Sequence, residues 1–351
     1  MPGRITALLL ASSLLAVYLA FAQSSAPENP KPAPVAASDR QFSTGVNEVI
    51  VPVTVTDDKG RFVADLDQKD FKITDGGREQ TIRFFTRERN QPVVVGFLMD
   101  ASNSSRMHWK NYQEAAEELV LHLLPNDKKF SGYLISYANE AELQVNTTSD
   151  PEKILEKLRK MKPGGGAALY DSIYIACTSR TLVKGEPVEP RRVIVVIGDG
   201  HDNASKKTLD EVLEIAQRNL VTIYGVSTVA YGFANEGDKN LVRLAEETGG
   251  RVEYPLQNVY KDVAGYLETP SDEGNYALKV GTGGYASAVA TGMFRAIAAV
   301  AGEVTTQYIL RYTPEVPESS KVFRNIKVTV SIPNASALKV RARRGYYPNN
   351  P

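Results

Sequence analysis

The chain has 351 residues, with 41 basic and 41 acidic side chains. That balance supplies no net positive field, which argues against nucleic acid as a partner. A single cysteine, Cys177, excludes a disulfide framework within the chain. Its setting in a helical pattern predicts an inert thiol packed on a sheet.

The N-terminus opens with Arg4, a mostly apolar run from Ile5 to Phe21, and the small-x-small triplet Ala20-Phe21-Ala22. Residues 1–22 therefore read as a cleaved leader peptide, with an uncleaved anchor as the alternative. The mature chain is expected to be exported, whether periplasmic, on the cell surface or secreted. No second long apolar run follows, so no membrane span is expected in it. Residues 23–44 are Pro- and Ala-rich and predict an extended linker.

From 45 to 90 the pattern is all-β. Glu48–Thr56 is rich in β-branched residues, Asp57-Asp58-Lys59-Gly60 signals a turn, and Phe62-Val63, Phe71–Thr74 and Thr81–Phe85 continue as strands. Strands return between 306 and 348, at Gln307–Tyr312, Phe323–Val330 and Ala337–Ala342. Each cluster is too small to be stable alone, so the two are expected to pair into one β-sandwich-like domain with the middle of the chain inserted between them. The basic run Lys339–Arg344 is expected to be the solvated face of a terminal strand.

The middle, 91 to 305, alternates strands and helices and predicts an α/β, doubly wound, Rossmann-like sheet. Tyr112, Ala115, Ala116, Leu119 and Leu123 form a helical stripe. Asp150-Pro151 starts a helix, and Thr208-Leu209-Asp210-Glu211 is a capping box. Glu268–Ser287, with four glycines and two tyrosines, is expected to be a long loop.

Two apolar strands in this region end in oxygen ligands. Val93–Met99 runs into Asp100-Ala101-Ser102-Asn103-Ser104, and Val193–Ile197 runs into Gly198-Asp199-Gly200. Ligands of open α/β sheets bind at the C-terminal ends of strands. A carboxylate and two hydroxyls on one tight loop are hard ligands suited to Mg²⁺ or Mn²⁺. The competing role for Asp100 and Ser104 is simply to cap the helix that follows. Between the strands lies the Gly-rich loop Gly164–Asp171.

This order of parts resembles the von Willebrand factor A domain and its metal-ion-dependent adhesion site, in which the first loop is Asp-x-Ser-x-Ser, the second supplies Thr and the third supplies Asp before Gly. The resemblance implies the metal set Asp100, Ser102, Ser104 and Asp199. The family Thr falls on Ala167, which has no oxygen to offer. The flanking segments Val55–Phe71, Tyr308–Pro314 and Arg343–Tyr346 resemble those of the VWFA-related proteins of acidobacteria. A protein ligand is then implied, with a partner Asp or Glu carboxylate completing the cation's sphere. Ser105, Trp109 and His201 are the expected rim, with Gly232–Asp238 as a further contributing loop. Trp109 has a core role as its alternative.

The same residues bear on two other function classes. A metal-independent structural or assembly protein of the cell envelope fits the missing hydroxyl at Ala167. A hydrolase built on Ser102, His201 and Asp199 lacks a Gly-x-Ser-x-Gly elbow, so no enzyme is expected. The glycine clusters do not form a dinucleotide fingerprint.

Overall fold

The structure is a computed structural model that describes residues 48–87, 92–178, 190–228, 236–255, 281–314, 322–332 and 338–348. The expected leader, the linker and all of the 229–235 and 268–280 stretches lie outside the described residues. Among the described residues no helix is long and apolar enough to cross a membrane.

Four strands precede the α/β region: β1 (Val49–Thr56), β2 (Phe71–Asp75), β3 (Arg78–Gln80) and β4 (Phe84–Thr86). That region contains β5 (Val93–Asp100), α1 (Trp109–Leu123), β6 (Phe130–Tyr137), β7 (Ala141–Thr148), α2 (Pro151–Lys160) and α3 (Leu169–Thr178). It continues with β8 (Arg191–Gly198), α4 (Leu209–Arg218), β9 (Thr222–Ser227), α5 (Glu236–Thr248), β10 (Val252–Glu253) and α6 (Gly281–Thr306). The chain returns to strands in β11 (Tyr308–Tyr312), β12 (Arg324–Val330), β13 (Lys339–Ala342) and β14 (Gly345–Tyr346).

The central sheet has the order β10-β9-β8-β5-β6-β7. Strand β5 lies between β6 and β8, parallel to both, and all eight of its residues are buried. A strand covered by helices on both faces must be apolar throughout, which is why Val93–Met99 carries no alternation. Only β7 runs antiparallel, as an edge partner of β6. One apolar cluster joins the sheet to α1, α2 and α6, and a second joins its other face to α3, α4 and α5.

Helix α1 buries the expected stripe of Tyr112, Ala115, Ala116, Leu119 and Leu123. Asp150 caps α2, its Oδ1 accepting from the Glu152 N–H at 3.0 Å. Thr208 and Glu211 cap α4 reciprocally, with the Thr208 N–H donating to Glu211 Oε2 at 2.8 Å.

The flanking strands form two further antiparallel sheets, β13-β1-β11-β4 and β14-β12-β2-β3. Strand β1 is central to the first, pairing with β11 from Val49↔Tyr312 to Val53↔Tyr308 and with β13 beyond. Its alternate residues Val49, Val51, Val53 and Val55 join Phe71, Ile73, Tyr308, Leu310 and Tyr312 in one core between the sheets. Asp75 is fully buried there. It accepts hydrogen bonds from Tyr312 Oη and Tyr346 Oη, each at 3.0 Å, and from Arg324 Nε at 2.7 Å.

Several expectations are corrected. Residues 281–287 open the 26-residue helix α6 and are not loop. Phe62 makes only an isolated bridge to Thr56. The expected strand Thr81–Phe85 is replaced by β3 and β4 on either side of a short connection. The basic run 339–344 is not uniformly solvated. Arg343 is 2% exposed, donating through Nη2 to the Leu220 carbonyl at 2.8 Å. Burial pushes its guanidinium pKa down to about 10.

Arg341 also turns inward, onto Glu303 of α6. Glu303 is fully buried and accepts from Arg341 Nη2 at 2.6 Å, Thr54 Oγ1 at 2.9 Å and Tyr224 Oη at 3.2 Å. Arg251 Nε lies 2.8 Å from Glu303 Oε2 as an ion pair, off the line of an aligned hydrogen bond. One carboxylate thus ties β1 and β13 to β9, the β10 approach and α6. Beside it Gln307 donates to Tyr224 Oη at 2.9 Å and accepts from the buried Arg191 at 2.9 Å.

Candidate functional site

Asp100 ends β5 at 1% exposure. Its Oδ1 accepts from the Ser102 N–H at 2.8 Å, folding residues 100–102 into a tight turn. Its Oδ2 is buried and has no hydrogen-bond partner. Burial pushes the Asp100 pKa up to about 6; hydrogen bonding from Ser102 opposes this and the nearby charge of Asp199 adds to it.

The Ser102 and Ser104 hydroxyls lie 2.8 Å apart. Ser102 sits at the N-cap of the 3₁₀ turn Asn103–His108 and makes no side-chain cap bond. Ser105 departs from the rim expectation. It is 1% exposed, and its hydroxyl donates to the Ser102 carbonyl at 2.9 Å.

Asp199 follows β8, the neighbour of β5, in a register that sets Met99 beside Ile197. It is half-buried, and its Oδ1 accepts from the His201 N–H at 2.9 Å. Both the charge and the backbone N–H of Asp199 act on Asp100, so the two carboxylates converge at one edge of the sheet. The approach requires Gly198. A Cβ there would collide with the Tyr137 hydroxyl and stand 3.0 Å from the Asp100 Cβ. The Tyr137 hydroxyl is itself buried without a partner, and burial together with the charges of Asp100, Asp199 and Asp202 drives its pKa well above the usual value.

The second loop is stitched to the other two by its backbone. The Gly164 N–H donates to the Ala101 carbonyl at 2.7 Å, and the Asn103 N–H to the Gly165 carbonyl at 3.1 Å. Gly165 adopts a φ of +89°, where a side chain would also meet Asn139. Ala167 is 3% exposed, with its methyl in the apolar cluster beneath α3. Its N–H donates to Asn203 Oδ1 at 2.8 Å, and its carbonyl accepts from the Asn203 N–H at 2.9 Å.

The third loop also caps α3. Asp202 Oδ2 accepts from the Tyr170 N–H at 2.8 Å, and Ser205 Oγ from the Asp171 N–H at 2.9 Å. Asn139, Asp202, Asn203 and Ser205 were not singled out from the sequence. Their signal, short polar residues clustered after β6 and β8, is common to any loop.

His201 is exposed at this edge, and Trp109 is half-buried against the core below α1. The described part of the 232–238 stretch contributes Gly237, whose backbone packs on Gly200 and His201.

The donor set suits a hard cation in part. A buried, partnerless carboxylate oxygen is expensive unless a cation or donor meets it. Asp100 Oδ2 is such an atom, with two hydroxyls and a second carboxylate close by. Among the described residues no group of three or more His, Cys, Asp or Glu side chains could hold a metal, so the serine hydroxyls would have to serve.

Residues 95–262 match the von Willebrand factor type A domain. This stretch is similar to that domain, and its mixed sheet with covering helices is von Willebrand A-like. An uncharacterized protein of Borreliella burgdorferi is 29% identical over 137 residues, which are 38% of this chain and 39% of that protein. The chain therefore spans well under half the length of that relative.

Among solved structures, the conserved hypothetical protein BatB of Bacteroides thetaiotaomicron is 20% identical, with 48% of this chain and 92% of that chain covered and a TM-score of 0.36. The proximal thread matrix protein 1 of the mussel byssus, solved with zinc in its adhesion-site motif, is 17% identical, with 49% and 43% covered and a TM-score of 0.38. The von Willebrand A fold here is the mixed sheet with its helices, and the antiparallel sheets of the flanks are additional to it.

Proposed function

We infer that the chain is an exported, non-catalytic protein-binding module of the VWFA-related kind, recognising an acidic side chain of its partner through a divalent cation. The von Willebrand A family is typically one of protein binding and adhesion, which supports the class. The observation that carries the cation is the buried, partnerless Asp100 Oδ2 facing the same sheet edge as Asp199.

Asp100, Ser102, Ser104 and Asp199 would hold Mg²⁺ or Mn²⁺. The bound ion would supply a Lewis-acidic contact for a carboxylate. The residues themselves do the rest. The Ser102 N–H orients Asp100, the His201 N–H orients Asp199, and the backbone bonds among the loops keep both in place. His201, exposed at this edge, would meet the partner.

A second reading, a metal-independent assembly module of the cell envelope, is favoured by Ala167. Its methyl is buried among apolar side chains, and its loop is held by Asn203 in place of an ion. Calorimetry with Mg²⁺ and Mn²⁺ separates the two. The cation reading expects saturable heat and a rise in Tm with metal; Ala167→Thr tests the second loop, since unchanged metal affinity there would mean that position 167 faces the apolar cluster and not the ion. No heat and no shift in Tm in the unaltered chain would leave the assembly reading standing.

A further inference from the structure

The end of the central sheet opposite Asp100 holds a buried cation without a counter-ion. Strand β8 opens with Arg191, beside Val93 at the start of β5. Arg191 is 7% exposed. Its Nη1 donates to Gln307 Oε1 at 2.9 Å and its Nη2 to the Val304 carbonyl at 2.7 Å. Both acceptors are neutral. Its Nε has no hydrogen-bond partner, and among the described residues Arg191 makes no ion pair within 4 Å. Burial pushes its pKa down to about 10, which still leaves it charged at neutral pH. A charge held this way is costly unless an anion meets it.

Arg191 lines a cavity of about 230 Å³ between this end of the sheet and β1. Strand β1 shapes it by alternation. Val49, Val51, Val53 and Val55 face the sandwich core, so Glu48, Ile50 and Pro52 lie on the other face, where they line the cavity. Further along that face Thr54 is held by Glu303. The seam between sandwich and sheet is thus bonded at Thr54 and open at Ile50. Ile50, Pro52 and Leu220 give the cavity apolar walls. The charge along it is positive. Arg192 lines it too and makes no ion pair among the described residues, while Glu48, the one acid among the described lining residues, is already paired with Arg311 at 3.5 Å.

We propose that this cavity binds a small free carboxylic acid with a short aliphatic body, its carboxylate on Arg191 and its chain against Ile50, Pro52 and Leu220. A guanidinium offers the fork of N–H groups that a carboxylate accepts. Apolar walls with a few placed polar groups are the usual make-up of a small-molecule site. Such walls disfavour an inorganic anion, which would shed its water without gaining polar partners from them. The volume equals roughly eight waters, space for an acid of about that many non-hydrogen atoms. The site lies at the other end of the sheet from Asp100 and Asp199 and needs no cation.

The test is calorimetry on the whole chain in chelator, which keeps carboxylates off any bound cation. It compares sodium pentanoate with pentanamide and sodium sulfate. Pentanoate is expected to bind saturably, at least about tenfold tighter than either, and to raise Tm. Gly-Gly-Val, which ends in the same chemistry, should bind more weakly, because the cavity volume suits the acid alone. Arg191→Gln should remove the binding. Arg192→Gln should weaken it about threefold and Glu48→Gln tighten it about threefold, as loss of a neighbouring charge would. Lys153→Gln, on α2, should leave it unchanged.

Absence of saturable pentanoate binding overturns the proposal, as does equal binding of pentanamide or sulfate. Full affinity in a folded Arg191→Gln overturns it as well, and tighter binding of Gly-Gly-Val overturns the free acid as occupant. The pentanamide comparison needs no variant, so it decides the matter if Arg191→Gln does not fold. Every titration is run without metal, so none of these outcomes bears on the cation reading.

Discussion

Asp100 is the residue on which the electrostatics of the site turn. In the absence of a cation its carboxylate is an uncompensated buried charge, since Oδ2 has no partner. Asp100→Asn keeps the shape and an acceptor for the Ser102 N–H while removing that charge. At pH 7.5 in chelator the variant should be more stable than the unaltered chain by about 1–2 kcal/mol, read by urea unfolding. It should also lose any gain in stability on adding Mg²⁺.

The pH dependence has a definite sign. The folded pKa, about 6, lies above the ordinary aspartate value of 3.8, so the native state binds the extra proton between these values. The stability that this group contributes is present at about pH 4 and is lost as pH rises through 6, by about 2–3 kcal/mol at most. Unfolding in chelator at pH 4.5 and 7.5 should show this slope in the unaltered chain relative to Asp100→Asn. An equal slope in both would remove Asp100 as its source. At this scale Asp100, Ser102, Ser104 and Asp199 were legible in the sequence because each follows an apolar strand. Ser105 was misplaced because nothing in a Ser-Ser pair says which hydroxyl bonds back to the chain.

At the scale of elements, the sheet strands and the capped helices were legible because each carries a local signal: an unbroken apolar run, Asp150-Pro151, or Thr208 with Glu211. Helix α6 was hidden at its start by Gly281, Gly283 and Gly284, which read as loop even though they open a long helix. The inward turn of Arg341 and Arg343 was equally hidden. Alternation shows that two faces differ, but the partner Glu303 lies 38 residues away from Arg341 and no local pattern names it. Glu303→Ala should cost about 2–3 kcal/mol, because it removes the buried acceptor shared by Arg341, Thr54 and Tyr224 and leaves a cavity, while the partly exposed Arg251 keeps Glu253. Glu303→Gln keeps hydrogen bonds without the charge and should cost less. Denaturant midpoints of the two variants check the order, and a Gln variant as unstable as the Ala variant would assign the effect to shape rather than to charge.

At the scale of the molecule, the sandwich core and the α/β cores are separate apolar clusters joined by a polar seam of Glu303, Gln307, Thr54, Tyr224 and Arg191. A seam with this many bonds across it predicts one cooperative heat transition for the unaltered chain, splitting into two in Glu303→Ala. Calorimetric traces with two peaks in the unaltered chain would refute that coupling. The pairing of β1 with β11 also dictates an order of events. Val53 and Tyr308 are neighbours in a ladder but 255 positions apart in the chain, so an open coil would have to close a very long loop to join them. Arg191 pairs with Val93 in the ladder and bonds Gln307, so the folded α/β body brings its own entry and exit together. Maturation should accordingly proceed from the inside of the chain outward, with β1 to β4 left as unsatisfied edges until the last strands emerge. A chain halted before residue 308 would expose those edges, and with them a surface prone to aggregation.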